Sequence, residues 1–305
     1  MGSVIRFSAT GLLWLAALTG PAAARTGPVL ETADVELFYR LYDANGGRPG
    51  ADQLQRDYLD VGSEGLRHLA SVRNVTGVRM ADAMAARPEI YVEARRCAET
   101  LPKVRERVDA ALTEFARRLP EARFPPVTVA VGRGRPVAIG SPANGVQVGL
   151  EALCAATFIN PDIEDRFVGV LVHEYVHTQQ SPAMTEEQAH TVLEISLAEG
   201  AAEFLTEVLS GAPAYAYFGP LTEGRELEIE TRFAADIDKT DLSDWLYNST
   251  LETPADLGYW VGYRIAKAYY QNADDKAAAF REIVGLTDAK AFLAASGWRP
   301  GIVLD

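Results

Sequence analysis

The chain has 305 residues, a mass of 33.1 kDa and a formal net charge of −13, and 48% of its residues are apolar. This length allows one large domain or two ordinary ones, and the apolar content is typical of a chain that folds around a core. An acidic chain without a clustered basic footprint argues against nucleic-acid binding, and two cysteines are too few for a disulfide scaffold or a four-thiolate metal site.

Residues 1–24 have the pattern of a secretory signal peptide. Arg6 is the only charged residue before Arg25, and residues 9–18 are apolar but too few to span a membrane. Small residues at 22–24 then match a cleavage site. We therefore predict export, removal of the first 24 residues and a periplasmic or secreted mature protein. The alternative is an uncleaved N-terminal anchor helix. No later stretch is apolar enough for a stable membrane span.

Export also changes the interpretation of the two cysteines, Cys97 and Cys154. Neither lies near the predicted cleavage site, which argues against a lipid-modified N-terminus. In an oxidising compartment they form either one disulfide or two buried thiols, and the sequence leaves both alternatives open.

Residues 25–120 are predicted to form a helical N-terminal part. Apolar residues recur there at helical spacing in three segments, 33–42, 53–69 and 87–119. Gly62-Ser63 and Pro102 interrupt these segments, and the proline-containing stretch 120–126 ends the pattern.

Residues 121–305 are predicted to form the second part, which begins with a small sheet. An alternating pattern predicts a strand at 127–132, and VQVGL at 146–150 predicts another. The glycine- and proline-rich segment 132–145 between them is predicted to be a loop.

Everything after Ile163 is predicted to be helical, in six segments: 166–179, 185–210, 226–233, 257–271, 275–284 and 288–295. The second of these has a capping box at Thr185–Gln188 and a stop at Gly211. The predicted fold class is therefore α+β and mostly helical, with both parts in one compact unit.

One short motif, HEYVH at 173–177, is typical of a zinc site. Positions i and i+4 lie on one face of a helix, so His173 and His177 are expected to bind one Zn²⁺ through their imidazole nitrogens. Glu174 would then lie beside the open coordination position, where it is the predicted general base that accepts a proton from the attacking water. The alternative is a pair of ordinary core histidines with hydrogen-bond partners.

The next predicted helix offers the third protein ligand that a catalytic zinc site requires. Glu199 lies 22 residues after His177, and Glu203 follows one turn later on the same face. We predict that Glu199 binds the metal and that Glu203 accepts the second N–H of a ligand histidine and holds its tautomer. Gly200 and the two alanines after it are small enough for close approach of the two helices. The alternative for either glutamate alone is a solvent-exposed helix face.

HEYVH followed by EGAAEF resembles the gluzincin zinc metallopeptidases, which include the thermolysin-like proteases and the large zinc aminopeptidases. The Glu-Gly-x-Ala pattern is similar to the aminopeptidase form, and the Glu199-x-x-x-Glu203 spacing is similar to the thermolysin form, with glutamate in place of aspartate. Most of the mature chain more closely resembles a bacterial family of predicted zinc-dependent proteases. Four segments carry that likeness: YLDVGSEGL (58–66), FPPV (124–127), HEYVH (173–177) and GYWVGYRIAKAYY (258–270).

The resemblance implies a zinc peptidase in which His173, His177 and Glu199 bind Zn²⁺ and Glu174 is the base. The sequence lacks the Gly-x-Met-x-Asn strand that anchors a free amino terminus in aminopeptidases, which argues against exopeptidase activity but does not decide between endo- and exopeptidase. It also lacks the third histidine of the metzincin pattern. Gluzincins pair a peptide substrate with a rim strand of the cleft, and GVQVGL at 145–150 is our candidate for that strand.

A peptidase also requires a donor for the oxyanion that develops on the scissile carbonyl. Tyr263 is the predicted catalytic donor, and Tyr259 and Arg264 are further candidates for oxyanion or substrate contacts. Gly262 would let another backbone approach this helix. The alternative is that the tyrosines belong to an aromatic core stripe that extends to Tyr270.

The predicted function is an exported, zinc-dependent hydrolysis of peptide or protein substrates. The enzyme alternative is a zinc amidase that acts on cell-wall peptides. The non-enzyme alternative is an exported module that keeps zinc for structure. Structural zinc usually has four protein ligands and is often thiolate-rich, whereas both cysteines lie outside the motif.

Overall fold

The computed structural model describes residues 29–185, 190–250 and 254–304. The predicted signal peptide and its cleavage site lie outside these residues. Among the helices described, none is long and apolar enough to cross a membrane. The described chain is mostly helical and contains a small sheet, so the predicted α+β class is confirmed.

The described N-terminal part is mostly helical, with one short strand at its start, a π-helical turn at Gln55–Leu59 directly after α2 and a 3₁₀ turn at Ala98–Thr100 between α5 and α6. The described α-helices are α1 (Ala33–Ala44), α2 (Ala51–Leu54), α3 (Glu64–Arg73), α4 (Gly77–Ala86), α5 (Pro88–Cys97) and α6 (Leu101–Arg118). The predicted interruptions are present. Ser63 caps α3 by accepting a hydrogen bond from Leu66 N at 3.1 Å. Pro102 lies in the first turn of α6, where a missing N–H is tolerated.

The described strands form a four-stranded sheet with the order β1-β2-β4-β3. The strands are β1 (Leu30–Glu31), β2 (Val127–Ala130), β3 (Ala138–Ser141) and β4 (Gly145–Gly149). The first, second and fourth are parallel, whereas β3 pairs antiparallel with β4 at the edge. The two predicted strands are confirmed, and β2 ends two residues early.

The prediction of a loop over 132–145 is wrong, because β3 lies inside it. Its four residues include Gly140 and Ser141, which have low strand propensity and give no alternating pattern. The strand forms because its backbone pairs with β4 over four residue positions. Pairing with β4 therefore stabilises a strand that the local sequence does not predict.

Long-range contacts, a hydrogen-bonded tyrosine and a disulfide among them, attach the N-terminal part to the sheet and to the helix after it. The buried Tyr58 hydroxyl donates to Val131 O at 2.8 Å and accepts from Val131 N at 2.9 Å, directly after β2. Cys97 at the end of α5 forms a disulfide with Cys154, so of the two alternatives for the cysteines the structure contains the disulfide. Cys154 belongs to the short helix α7 (Leu150–Ala155), which follows β4 directly.

The rest of the described chain is helical. Its helices are α8 (Ile163–His177), α9 (Pro182–Thr185), α10 (Val192–Ser210), α11 (Phe218–Thr222), α12 (Glu226–Asp236), α13 (Leu257–Asn272), α14 (Lys276–Val284) and α15 (Ala289–Ser296). Buried apolar side chains from both parts of the chain belong to one contiguous core.

The predicted start of the long helix at Thr185 is wrong. Helix α10 begins at Val192, and its capping box is Thr191–Glu194. The Thr191 hydroxyl accepts from Glu194 N at 3.3 Å, and the Glu194 carboxylate accepts from Thr191 N at 2.7 Å. Gln188 lies outside the described residues. The predicted stop is confirmed, because Gly211 adopts a left-handed φ of 94° after the last turn.

Helices α10 and α13 cross at two glycines. A Cβ on Gly200 would lie 2.1 Å from Tyr263 N, and a Cβ on Gly262 would lie 1.7 Å from Ser196 O. The prediction that Gly262 admits another backbone is confirmed. Gly200, however, makes its close approach to α13 and not to the HEYVH helix. This crossing brings the start of α13 beside the α10 segment that carries Glu199.

We expect Gly262→Ala to lower the free energy of unfolding by about 1–3 kcal/mol or more, because its Cβ would overlap a backbone oxygen that cannot move alone. Urea unfolding followed by far-UV circular dichroism measures this change. Gly219→Ala is the matched control, since a Cβ at that helical position meets nothing within 4 Å. Equal unfolding midpoints for the two variants would contradict the proposed role of the crossing.

Candidate metal centre and active-site cleft

Helices α8 and α10 bring the three predicted metal ligands together. His173 and His177 lie one turn apart on α8, and their Nε2 atoms are 2.9 Å apart. Glu199 on α10 places Oε2 at 3.2 Å from His173 Nε2 and 3.1 Å from His177 Nε2. The histidines are buried, and the glutamate side chain is 13% exposed. Three potential ligand atoms therefore converge on one point.

This arrangement fits a zinc ion. Two imidazole nitrogens and one carboxylate oxygen form a group that could hold a metal. Tetrahedral ligands with bonds of about 2.0–2.1 Å are roughly 3.3 Å apart, close to the separations in this group. A set of two histidines and one glutamate, with the remaining side open to a cleft, is also typical of catalytic zinc sites.

Partners behind the histidines orient both rings. The Nδ1 atom of His173 lies 2.7 Å from Oε1 of Glu203, a close contact whose angles differ from those of a regular hydrogen bond. Glu203 is fully buried, as the predicted partner of a ligand histidine would be. His177 Nδ1 lies 2.8 Å from Gln180 Oε1, and Gln180 Nε2 donates to Ala198 O at 2.7 Å. Both rings thereby direct Nε2 toward the shared point.

The electrostatics of the site favour a cation. Burial lowers the pKa of His173, but the adjacent carboxylates of Glu199 and Glu203 outweigh this effect and raise that pKa to about 10. Burial raises the pKa of Glu199, but the two histidines outweigh this effect and lower it. The site therefore stabilises positive charge beside the Glu199 carboxylate. A bound metal ion supplies that charge and leaves both imidazoles neutral.

Glu174 lies beside the three ligands and lines the cleft. Burial raises the pKa of its carboxyl, although the charges of His177, His173 and Arg73 act in the opposite direction. Strand β3 packs directly against this residue. A Cβ on Gly140 would lie 2.4 Å from the Glu174 backbone oxygen and 3.0 Å from Oε2. Only glycine permits so close an approach of the edge strand to the predicted base.

The cleft has a volume of about 670 Å³ and is bordered by β3. Its lining combines the metal group with residues 135–140 of the β3 segment, Arg73, several apolar side chains and three tyrosines. The prediction that residues 145–150 form the rim strand is wrong. Strand β4 is buried in the interior of the sheet between β2 and β3, because it pairs on both sides. The rim is β3.

Three tyrosines surround the metal group. Tyr259 stacks on the His173 ring with centroids 6.2 Å apart and planes at 14°. Tyr215 lies edge-on to the same ring, with centroids 5.9 Å apart. Tyr247 donates its hydroxyl to Glu199 Oε1 at 3.2 Å. Tyr259 was predicted from the sequence, whereas Tyr215 and Tyr247 were not, because they lie in irregular segments where no spacing relates them to the motif.

The structure does not bring Tyr263 or Arg264 to the cleft. Tyr263 donates its hydroxyl to the Glu207 carboxylate, and Glu207 lies about 12 Å beyond Glu199 along α10. Arg264 donates from Nε to Glu230 Oε1 at 2.6 Å, and that glutamate is fully buried. Tyr263 shares a helix face with Tyr259, but one turn of α13 separates it from the site. The oxyanion roles predicted for Tyr263 and Arg264 are therefore not supported by their positions.

Residues 150–287 match the profile of a family described as predicted Zn-dependent protease (DUF2268). Over this region the chain is similar to that family. The matched region includes all three potential metal ligands, Glu174 and Tyr259, and it agrees with the resemblance inferred from the HEYVH and EGAAEF segments. No curated protein and no solved structure matches the chain.

Because the Tyr263 hydroxyl binds Glu207 outside the cleft, we expect Tyr263→Phe to lower stability by about 1–3 kcal/mol and to leave turnover within twofold of wild type. Melting temperature and peptide turnover of this variant measure the two effects. A hundredfold loss of turnover with an unchanged melting temperature would instead place Tyr263 in the catalytic machinery.

Proposed function

We propose that the protein is an exported zinc-dependent peptidase in which Glu174 is the general base. The observation that carries this proposal is the convergence of His173, His177 and Glu199 within 2.9–3.2 Å beside Glu174, in a cleft bordered by an edge strand. The similarity of residues 150–287 to predicted Zn-dependent proteases supports the same reaction class.

In the first step, a peptide substrate binds in an extended conformation along β3. Among the strands that the structure describes, β3 pairs only with β4, and an extended peptide can add a strand on its other side by pairing with its N–H and C=O groups. A zinc ion held by the two histidines and Glu199 supplies Lewis acidity that polarises the scissile carbonyl and lowers the pKa of water. The role of β3 is to hold the peptide in register beside this site.

Glu174 moves the proton. Its carboxylate accepts a proton from the attacking water and then donates it to the leaving amine, so one group acts as base and then as acid. Burial raises its pKa, which brings the carboxyl nearer to the range suited to both roles. Gly140 packs against this residue and restricts the space around the carboxylate.

Tyr259 is the best-placed donor for the oxyanion. Its ring lines the cleft and stacks on His173, and its hydroxyl makes no hydrogen bond to any residue that the structure describes. Tyr247, by contrast, already donates to Glu199. An uncommitted hydroxyl beside the metal group is available to donate to charge that develops on the substrate.

The disulfide between Cys97 and Cys154 supports the export part of the proposal, because disulfides persist mainly in oxidising compartments. A purely structural zinc role has less support. Among the described residues, the metal group has three protein ligands, whereas structural zinc is usually bound by four.

Glu174→Gln should keep stoichiometric zinc and lose about 10²–10⁴-fold in turnover, because an amide cannot accept the proton of water. Glu199→Ala should instead lose zinc. Metal analysis and a peptide cleavage assay measure both effects. Glu106→Gln on the exposed face of α6 is the control for the loss of one carboxylate. Near-normal activity of Glu174→Gln would refute the mechanism, and full zinc in Glu199→Ala would assign the third ligand elsewhere.

Tyr259→Phe should lower kcat about a hundredfold with little change in KM, because it removes one donor used in the transition state. Its melting temperature should hardly change, since the ring that stacks on His173 remains. Tyr263→Phe is the matched control on the same helix face. An unchanged kcat for Tyr259→Phe would exclude Tyr259 as the oxyanion donor and would make Tyr215 the next candidate.

A further inference from the structure

Two arginine side chains border the cleft. Arg73, the last residue of α3, and Arg135, shortly before β3, both line the cleft. Both residues are exposed, and the side chain of neither forms an ion pair or a hydrogen bond with any residue that the structure describes. Among the described lining residues the carboxylates are Glu174 and Glu199, which belong to the base and to the metal group.

The backbone that presents these arginines is held from several sides. Arg133 donates to Arg73 O from Nη2 at 2.9 Å, which ties the end of α3 to the segment before β3. The buried Glu151 carboxylate accepts from Gly132 N at 2.9 Å and Gly134 N at 2.8 Å. These hydrogen bonds fix the backbone of the two segments that carry Arg73 and Arg135.

Arg135 belongs to a cluster of positive charge beside the cleft. Arg133 lies beside Arg135 and Arg79, and burial together with these two charges lowers its pKa. This basic cluster is also unusual in a chain with a net charge of −13. Like charges repel, so an anionic ligand in the cleft lined by Arg73 and Arg135 is attracted to both guanidinium groups and also reduces the repulsion within the cluster around Arg135.

The position of Arg135 relative to β3 indicates which part of a peptide substrate would contact the arginines. A peptide that pairs with β3 and extends beyond the start of the strand approaches Arg135, since that residue is three positions before the strand begins at Ala138. Arg135 precedes Gly140, which packs on Glu174, by five residues, a span of at most about 17 Å. The Arg135 side chain can reach across part of this span. We therefore expect the anionic group of the substrate to lie a few residues from the scissile bond.

We infer that Arg73 and Arg135 bind a carboxylate of the peptide substrate and give the cleft a preference for acidic peptides. The carboxylate comes from an aspartate or glutamate side chain or from a free C-terminus, and guanidinium groups recognise both through paired N–H donors. This inference rests on the proposed peptidase function and names the substrate class of the same site.

The test measures binding as well as cleavage. Zinc-loaded Glu174→Gln protein is titrated with a neutral octapeptide, with variants that carry one Glu or one Gln at each position in turn, and with free and amidated C-termini. We expect at least one Glu peptide or free-carboxylate peptide to bind about tenfold more tightly than its Gln or amide counterpart. A preference for Glu over Gln at one position indicates that a side-chain carboxylate is bound. A preference for the free over the amidated peptide indicates that the C-terminal carboxylate is bound.

The same titrations in Arg73→Gln and Arg135→Gln backgrounds assign the preference. Each variant should reduce the acidic-to-neutral affinity ratio to within about twofold of one, and Arg135→Lys should restore part of it. Arg105→Gln is the matched control, because it removes one exposed arginine of α6 that does not line this cleft. It should keep the tenfold ratio.

The inference is overturned if every acidic peptide binds like its neutral counterpart, or if the preference survives both glutamine variants. Cleavage by the zinc-loaded wild type separates this failure from failure of the proposed function. Cleavage of neutral and acidic peptides at equal rates overturns the carboxylate subsite alone. Absence of cleavage of any peptide, together with an arginine-dependent acidic preference in binding, overturns the peptidase function and supports the subsite.

Discussion

The site depends on keeping the Glu199 carboxylate within 3.2 Å of two buried imidazoles. A carboxylate and two histidines away from bulk water are costly unless positive charge lies among them. That charge comes from protons or from a metal ion, and the carboxylates of Glu199 and Glu203 favour it, since they raise the pKa of His173. The geometry of α8 and α10 is thus tied to cation binding.

That geometry is in turn maintained by contacts remote from the ligands. The crossing of α10 and α13 at Gly200 and Gly262 fixes the helix that carries Glu199. Gln180 joins the end of α8 to the Ala198 carbonyl on α10 through one amide group. A substitution at any of these residues would displace the metal-ligand atoms indirectly, through the helices. A loss of rate in such a variant therefore need not indicate a catalytic role for the substituted residue.

The metal group was predictable because helical spacing determines which side chains share a face. His173, His177, Glu199 and Glu203 all follow from i and i+4 positions on two helices, and the structure places all four at one site. Strand β3 was not predictable from its own residues, since pairing with β4 stabilises it. Tyr247 and Tyr215 were missed for a similar reason, because tertiary packing alone brings irregular segments to a site. Tyr263 was misplaced because a helix face continues for several turns, whereas a cleft contacts only one of them.

An edge strand that accepts a substrate is also exposed to pairing with a second copy of the chain. Unpaired N–H and C=O groups are a template for aggregation, and natural sheets limit this risk by short edges and by proline. Strand β3 is only four residues long and lies between Pro136 and Pro142. Neither proline can donate a backbone hydrogen bond, so an incoming strand finds a pairing segment of limited length. A short peptide can use that segment fully, whereas a long sheet cannot extend along it, and self-association is therefore restrained by the same residues that leave the edge open.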